Sequence, residues 1–114
     1  MEELKPFSIK LDTEEKRRHL LGDNPKTAGI RSGQVILKKG ESVGEHATNQ
    51  KEEVIVVFWG TAEITTNKSS SIIAEENSVS YIPPRTIHNV KNIGEGDLRY
   101  IYIVSSVDKI RSMR

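Results

Sequence analysis

Between residues 30 and 104, short apolar runs alternate with turn residues. The densest run, residues 54–58 (VIVVF), ends at Gly60, and we expect it to be buried on both faces. The last run, residues 98–104, alternates tyrosine with isoleucine. About seven or eight such runs, with turns every eight to twelve residues, are typical of a β-sandwich or barrel.

The chain before this region has a different pattern. Asp12 can cap a helix, Glu15 completes a capping box three residues later, and the basic residues that follow complement the helix dipole. Gly22 is a typical helix end. We therefore expect residues 1–29 to form a lead-in with one short helix, and residues 30–114 to form the barrel of a single domain.

Composition supports an all-β chain of one domain. The 114 residues include 22 Ile and Val but only 6 Leu, and β-branched residues favour pleated sheets. Lys and Arg number 17 against 16 Asp and Glu, and the two signs are interspersed. This pattern argues against nucleic-acid and membrane partners.

Other function classes are excluded by what the sequence lacks. The chain has no cysteine, so disulfides, thiolate metal sites and a cysteine nucleophile are ruled out. No apolar run approaches the ~18 residues that a membrane span needs. The first residues do not resemble a signal peptide. We expect a cytoplasmic protein.

Two groups of residues at fixed spacings point to chemistry. The first group is Gly40, His46, Thr48, Glu53 and Gly60, and the second is Pro83, Arg85, His88 and Asn92. These spacings resemble the two conserved motifs of the cupin superfamily. The resemblance implies a double-stranded β-helix, or jelly-roll, barrel.

The sequence departs from the family's motifs at three positions. Thr48 stands where the family has its second metal-binding histidine, and Asn77 and Arg85 stand where it has glycines. Alternate residues of a strand share a face, so Thr48 is expected to line the same pocket as His46. A neutral hydroxyl is a poor ligand for a divalent ion.

The resemblance therefore implies a metal site at His46, Glu53 and His88 only. Two imidazoles and one carboxylate with open positions form the facial triad of Fe(II) and related ions, so a divalent ion such as Fe, Mn, Zn or Ni is the expected cofactor. The spacing to Gly60 selects Glu53 over Glu52 as the inward carboxylate, although both faces of this strand are apolar. Tyr81, just before two prolines, is expected to line the pocket near His88.

The resemblance implies two main functions. One is a metal-dependent enzyme of isomerase, lyase or dioxygenase type that acts on a small metabolite. The alternative is a non-catalytic, metal-free protein that binds a sugar or carboxylate. A weaker third option is a metal-free epimerase-like site, with a histidine base paired with Tyr81. No catalytic residue is identified. Unpaired strand edges, and the dimers common among small cupins, predict a homodimer.

Overall fold

The computed structural model describes residues 3–107, in which nine β-strands and no helix occur. The strands are Arg17–Leu21 (β1), Ile30–Leu37 (β2), His46–Ala47 (β3), Lys51–Trp59 (β4), Ala62–Thr66 (β5), Ser70–Ala74 (β6), Ser78–Ile82 (β7), Ile87–Asn92 (β8) and Leu98–Ser106 (β9). They form a five-stranded sheet in the order β1-β2-β9-β4-β7 and a four-stranded sheet in the order β3-β8-β5-β6. Every pairing is antiparallel. The all-β architecture agrees with the expected barrel.

The expected N-terminal helix is wrong. Residues 17–21 form strand β1, which pairs with β2 so that Arg17 lies opposite Val35. The N–H of Glu15 bonds to the side chain of Thr13, at 3.0 Å. An isolated helix of two turns is unstable in water, whereas the edge of β2 offers β1 a row of backbone partners. The five-stranded sheet thus begins ahead of Ile30.

The core lies between the two sheets. Along β4 the inner residues Ile55 and Val57 are fully buried, whereas the outer residues Val54, Val56 and Phe58 are only half-buried. The expectation that this run is buried on both faces therefore holds for one face only. Both sheets contribute to the core cluster of Val35, Leu37, Ile55, Val57, Ala62, Ile64, Ala74, Ile82, Val90, Leu98 and Tyr100.

Two of the three departures from the family motifs lie between strands, at residues with a positive φ. Asn77 and Arg85 have φ angles of 65° and 54°, in the left-handed region that favours glycine. The backbone N–H of Arg85 donates to the carbonyl of Asn49, at 2.9 Å. The backbone at both positions therefore has a conformation that glycine adopts without strain.

Candidate metal centre

Three side chains from three strands meet at one end of the barrel. His46 on β3 lies directly opposite His88 on β8, and their ring centroids are 4.0 Å apart. Glu53 reaches them from β4 of the facing sheet, and its Oε1 lies 3.2 Å from Nε2 of His88. One potential ligand atom from each residue falls within 4.8 Å of the others. The structure thus brings the three sequence-predicted ligands together.

Glu53 is the inward carboxylate, as the spacing indicated. It is 7% exposed, whereas Glu52 lies on the outer face of the same strand. His88 is 1% exposed, so the carboxylate and the imidazole share a nearly dry environment. A buried carboxylate needs a cation or hydrogen-bond donors to offset its lost hydration. His88 or a bound cation can serve this purpose.

Each histidine has a ring nitrogen that is free to bind a metal ion. Nδ1 of His46 lies 3.1 Å from the carbonyl oxygen of Gly44, which can only accept, so Nδ1 carries the proton. Nε2 of His46 is then unprotonated when the ring is neutral. Among residues 3–107 neither nitrogen of the buried His88 has a hydrogen bond, because the 3.2 Å approach of Glu53 lacks hydrogen-bond geometry. Such unsatisfied nitrogens fit a site that an ion completes.

Thr48 has a structural role at the base of this site. Its Oγ1 donates to the carbonyl of Pro83, at 2.8 Å, and accepts from the N–H of Thr86, at 3.0 Å. The side chain is 5% exposed and is absent from the lining of the cavity beside the metal centre. Thr48 therefore holds the 83–86 turn that leads into β8 and His88.

Tyr81 lies outside the pocket that we expected it to line. It is on the outer face of the five-stranded sheet, 52% exposed, and its hydroxyl donates to Oε1 of Glu52 at 2.7 Å. That hydrogen bond raises the pKa of the phenol. The alternation of side chains along β7 indicates this outward position, because Tyr81 shares its face with the highly exposed Val79 while Ile82 faces the core.

A cavity of about 400 Å³ adjoins the metal centre. Its lining consists of Arg17, Val35, Val43, Gly44, Glu45, His46, Glu53, Tyr100, Tyr102 and Val104. Burial, then the negative charge of Glu53, raises the pKa of the Tyr100 phenol, and Arg17 acts in the opposite direction. Arg17 was not predicted to line the cavity because the basic residues after Glu15 were expected to end a helix. The alternation of β9 could have indicated that its two tyrosines face inward.

The fold and the site define a class of protein: a small double-stranded β-helix with two imidazoles and one carboxylate at a cavity. Residues 33–104 match the family described as "Cupin domain". The chain belongs to the cupin family.

Comparisons with known proteins agree with this assignment. Mannose-1-phosphate guanylyltransferase RfbM of Salmonella typhimurium is 32% identical over 71 residues, which are 62% of this chain and 15% of that protein. A predicted oxalate decarboxylase from Thermotoga maritima has a TM-score of 0.72 at 21% identity, over 79% of this chain and 78% of that one. An RmlC-like cupin with a double-stranded β-helix fold, from Methanocaldococcus jannaschii, has a TM-score of 0.71 at 18% identity, over 90% and 89% of the two chains. The structural similarities show the fold.

Within residues 3–107 no helix is long or apolar enough to cross a membrane.

Proposed function

We propose that this cupin binds one divalent metal ion at His46, Glu53 and His88 and acts on a small metabolite in the adjoining cavity. The observation that supports the proposal is the convergence of two imidazoles on one buried carboxylate, with both nitrogens of His88 left without a hydrogen bond among residues 3–107. Two histidines and one carboxylate leave coordination positions open for a substrate or water.

Each residue has a distinct part in this proposal. The hydrogen bond from Nδ1 to Gly44 orients the ring of His46 and leaves its Nε2 for the ion. Glu53 supplies a negative charge in a nearly dry site, where it attracts a cation strongly. A bound divalent ion supplies Lewis-acid polarisation of a carbonyl or enol oxygen. Tyr100 and Tyr102 place phenol groups in the lining of the cavity that the substrate would occupy.

A second candidate function is metal-free binding of a sugar or carboxylate. It is favoured by Thr48, which leaves the family's fourth ligand position without an imidazole and whose hydroxyl is already bonded to the 83–86 turn. In this case His88 and Glu53 would act as an internal ion pair when the imidazole is protonated.

Metal titration separates the two functions. His46 is exposed, so His46→Ala should fold, and His19→Ala removes an equally exposed histidine outside the cluster. We expect calorimetry with Zn²⁺ and Mn²⁺ to show one site in the wild type and in His19→Ala. The affinity of His46→Ala should fall by at least about tenfold. Added metal should raise the melting temperatures of the wild type and of the His19→Ala control more than that of His46→Ala. Wild-type protein that binds no ion, or equal affinities in the two variants, would refute the metal-binding proposal.

A further inference from the structure

Arg17 occupies an unusual place on the wall of the cavity. It lies on β1 opposite Val35, which in turn lies opposite the inward-facing Tyr100 on β9. The guanidinium donates to the carbonyl of Val43, in the segment that precedes β3, at 3.4 Å. This is its only hydrogen bond in the described part of the chain, so most of its five N–H groups are available.

Neither carboxylate of the same cavity forms a salt bridge with Arg17. Glu53 lies 3.2 Å from His88, and Glu45 lies 3.9 Å from Nζ of Lys68. Arg17 forms no salt bridge with any residue between 3 and 107. A metal ion at the three-residue centre would offset the charge of Glu53. Arg17 is therefore a cation in the cavity lining that has no ion-pair partner within the described residues.

We infer that Arg17 is the anchor for a carboxylate group, and that the ligand of this cavity is a small carboxylic acid. The inference deepens the proposed function and rests on it for the other end of the ligand, which would face His46, Glu53 and His88. A guanidinium binds a carboxylate through two parallel hydrogen bonds, which set orientation as well as affinity.

The rest of the lining suits a small carboxylate better than a phosphate. A phosphate monoester carries up to two negative charges at neutral pH. It would meet a single unpaired cation here. A planar carboxylate group carries one negative charge and matches the single guanidinium in both charge and shape, and the second carboxylate of a diacid such as malonate would face the metal centre.

Tyr102 is held in the cavity wall by a specific feature of β2. A Cβ on Gly33 would lie 2.5 Å from the Tyr102 hydroxyl oxygen and 2.7 Å from its Cζ. Because Gly33 has no Cβ, the ring of Tyr102 can occupy this space beside β2. With Tyr100, it places a phenol in the same cavity lining as Arg17, and a neutral phenol can donate a hydrogen bond to a carboxylate.

The test is an NMR titration of the full chain with malonate, its neutral analogue malonamide, and methyl phosphate. It compares the wild type with Arg17→Gln, Arg17→Lys and the control Arg18→Gln. Arg18 is the next residue on β1, on the opposite face, where it donates to the carbonyl of Lys10 at 2.8 Å. Both glutamine variants lose one positive charge, so only the cavity-facing position should matter. Each titration is run without metal and with Zn²⁺.

We expect Arg17→Gln to weaken malonate binding by ~10–100-fold, and Arg18→Gln to change it by less than about twofold. Arg17→Lys should recover part of the affinity, because it restores the charge without the planar fork. Equal malonate affinity in the wild type and Arg17→Gln, no saturable malonate binding in the wild type, or tighter binding of malonamide or methyl phosphate would overturn the inference.

These results are distinguishable from a failure of the proposed function. Malonate binding that depends on Arg17 in a protein that binds no Zn²⁺ supports the inference and refutes the metal-binding proposal. Zn²⁺ binding that depends on His46, with malonate affinity indifferent to Arg17, does the reverse.

Discussion

Thr48→Val tests whether a single hydroxyl holds the turn that presents His88. Valine has nearly the shape of threonine, so the change removes the polar atom while keeping the volume. It eliminates the 2.8 Å bond to the carbonyl of Pro83 and leaves the N–H of Thr86 without its 3.0 Å acceptor. The contact between Thr48 and Thr86 joins two residues that are each 5% exposed, where water can replace it only in part, whereas Pro83 is exposed.

The magnitude follows from these two contacts. A typical intramolecular hydrogen bond contributes about 0.5–1.5 kcal/mol net, and a buried donor left without a partner costs about 1–3 kcal/mol. We therefore expect Thr48→Val to lower the free energy of unfolding by about 2–3 kcal/mol. For a domain of this size that corresponds to a fall in melting temperature of roughly 10–20 °C. Thr48→His would break the same contacts, which offsets any ligand it adds.

The assay is urea unfolding followed by far-UV circular dichroism, with Thr48→Ser as the matched control. Serine keeps the hydroxyl, so it should lose less than about 1 kcal/mol. Metal affinity should fall in Thr48→Val but not in Thr48→Ser, because only the valine variant releases the turn before His88. Unfolding free energies of wild type and Thr48→Val that agree within about 0.5 kcal/mol would show that the pair does not stabilise the turn.

Three further predictions follow from other parts of the molecule. Arg85→Gly should stabilise the fold by ~0.5–1 kcal/mol, because it relieves the cost of a left-handed residue at φ 54° and loses only part of this gain to the entropy of the unfolded chain. Arg85→Ala keeps the strain and is the control, so equal stability of the two variants contradicts the argument. Tyr100 should remain protonated in the folded chain well above the pH at which free tyrosine ionises, about 10, because burial and Glu53 raise its pKa. The unfolded chain then loses that proton first, so the free energy of unfolding should be unaffected below about pH 10 and fall as the pH rises further. In a spectrophotometric titration, Tyr100→Phe should remove the phenol that ionises last. A Tyr100 that ionises at the ordinary pH refutes this prediction. The expected homodimer remains a prediction. Val79, on the outer face of the five-stranded sheet, is 71% exposed, so light scattering should give the mass of two chains and Val79→Glu should favour the single chain. A wild-type monomer at micromolar concentration rules the dimer out.

The strands could be predicted from the sequence because they depend on local repetition, whereas the jelly-roll barrel and the three candidate ligands were implied by the resemblance of two spaced groups of residues to the cupin motifs. Strand alternation and turn residues act over a few positions, which is why runs such as residues 54–58 indicate strands. The spacing from Glu53 to Gly60 predicts that Glu53 rather than Glu52 faces inward, whereas parity alone could not decide between them because both faces of β4 are apolar in sequence. The sequence also shows that Asn77 and Arg85 stand at glycine positions of the motif, and both residues have a positive φ in the structure.

What failed depended on contacts between distant segments. The capping signals near Asp12 are local, but the unpaired edge of β2 competes for residues 17–21, and pairing with it outweighs a two-turn helix. That exchange of helix for strand is what brings Arg17 into the cavity. Thr48 and Tyr81 were assigned to the pocket from sequence position. Only the packing of the 83–86 turn on Thr48 decided that its hydroxyl holds a turn, whereas the alternation of β7 already places Tyr81 on the outer face with Val79.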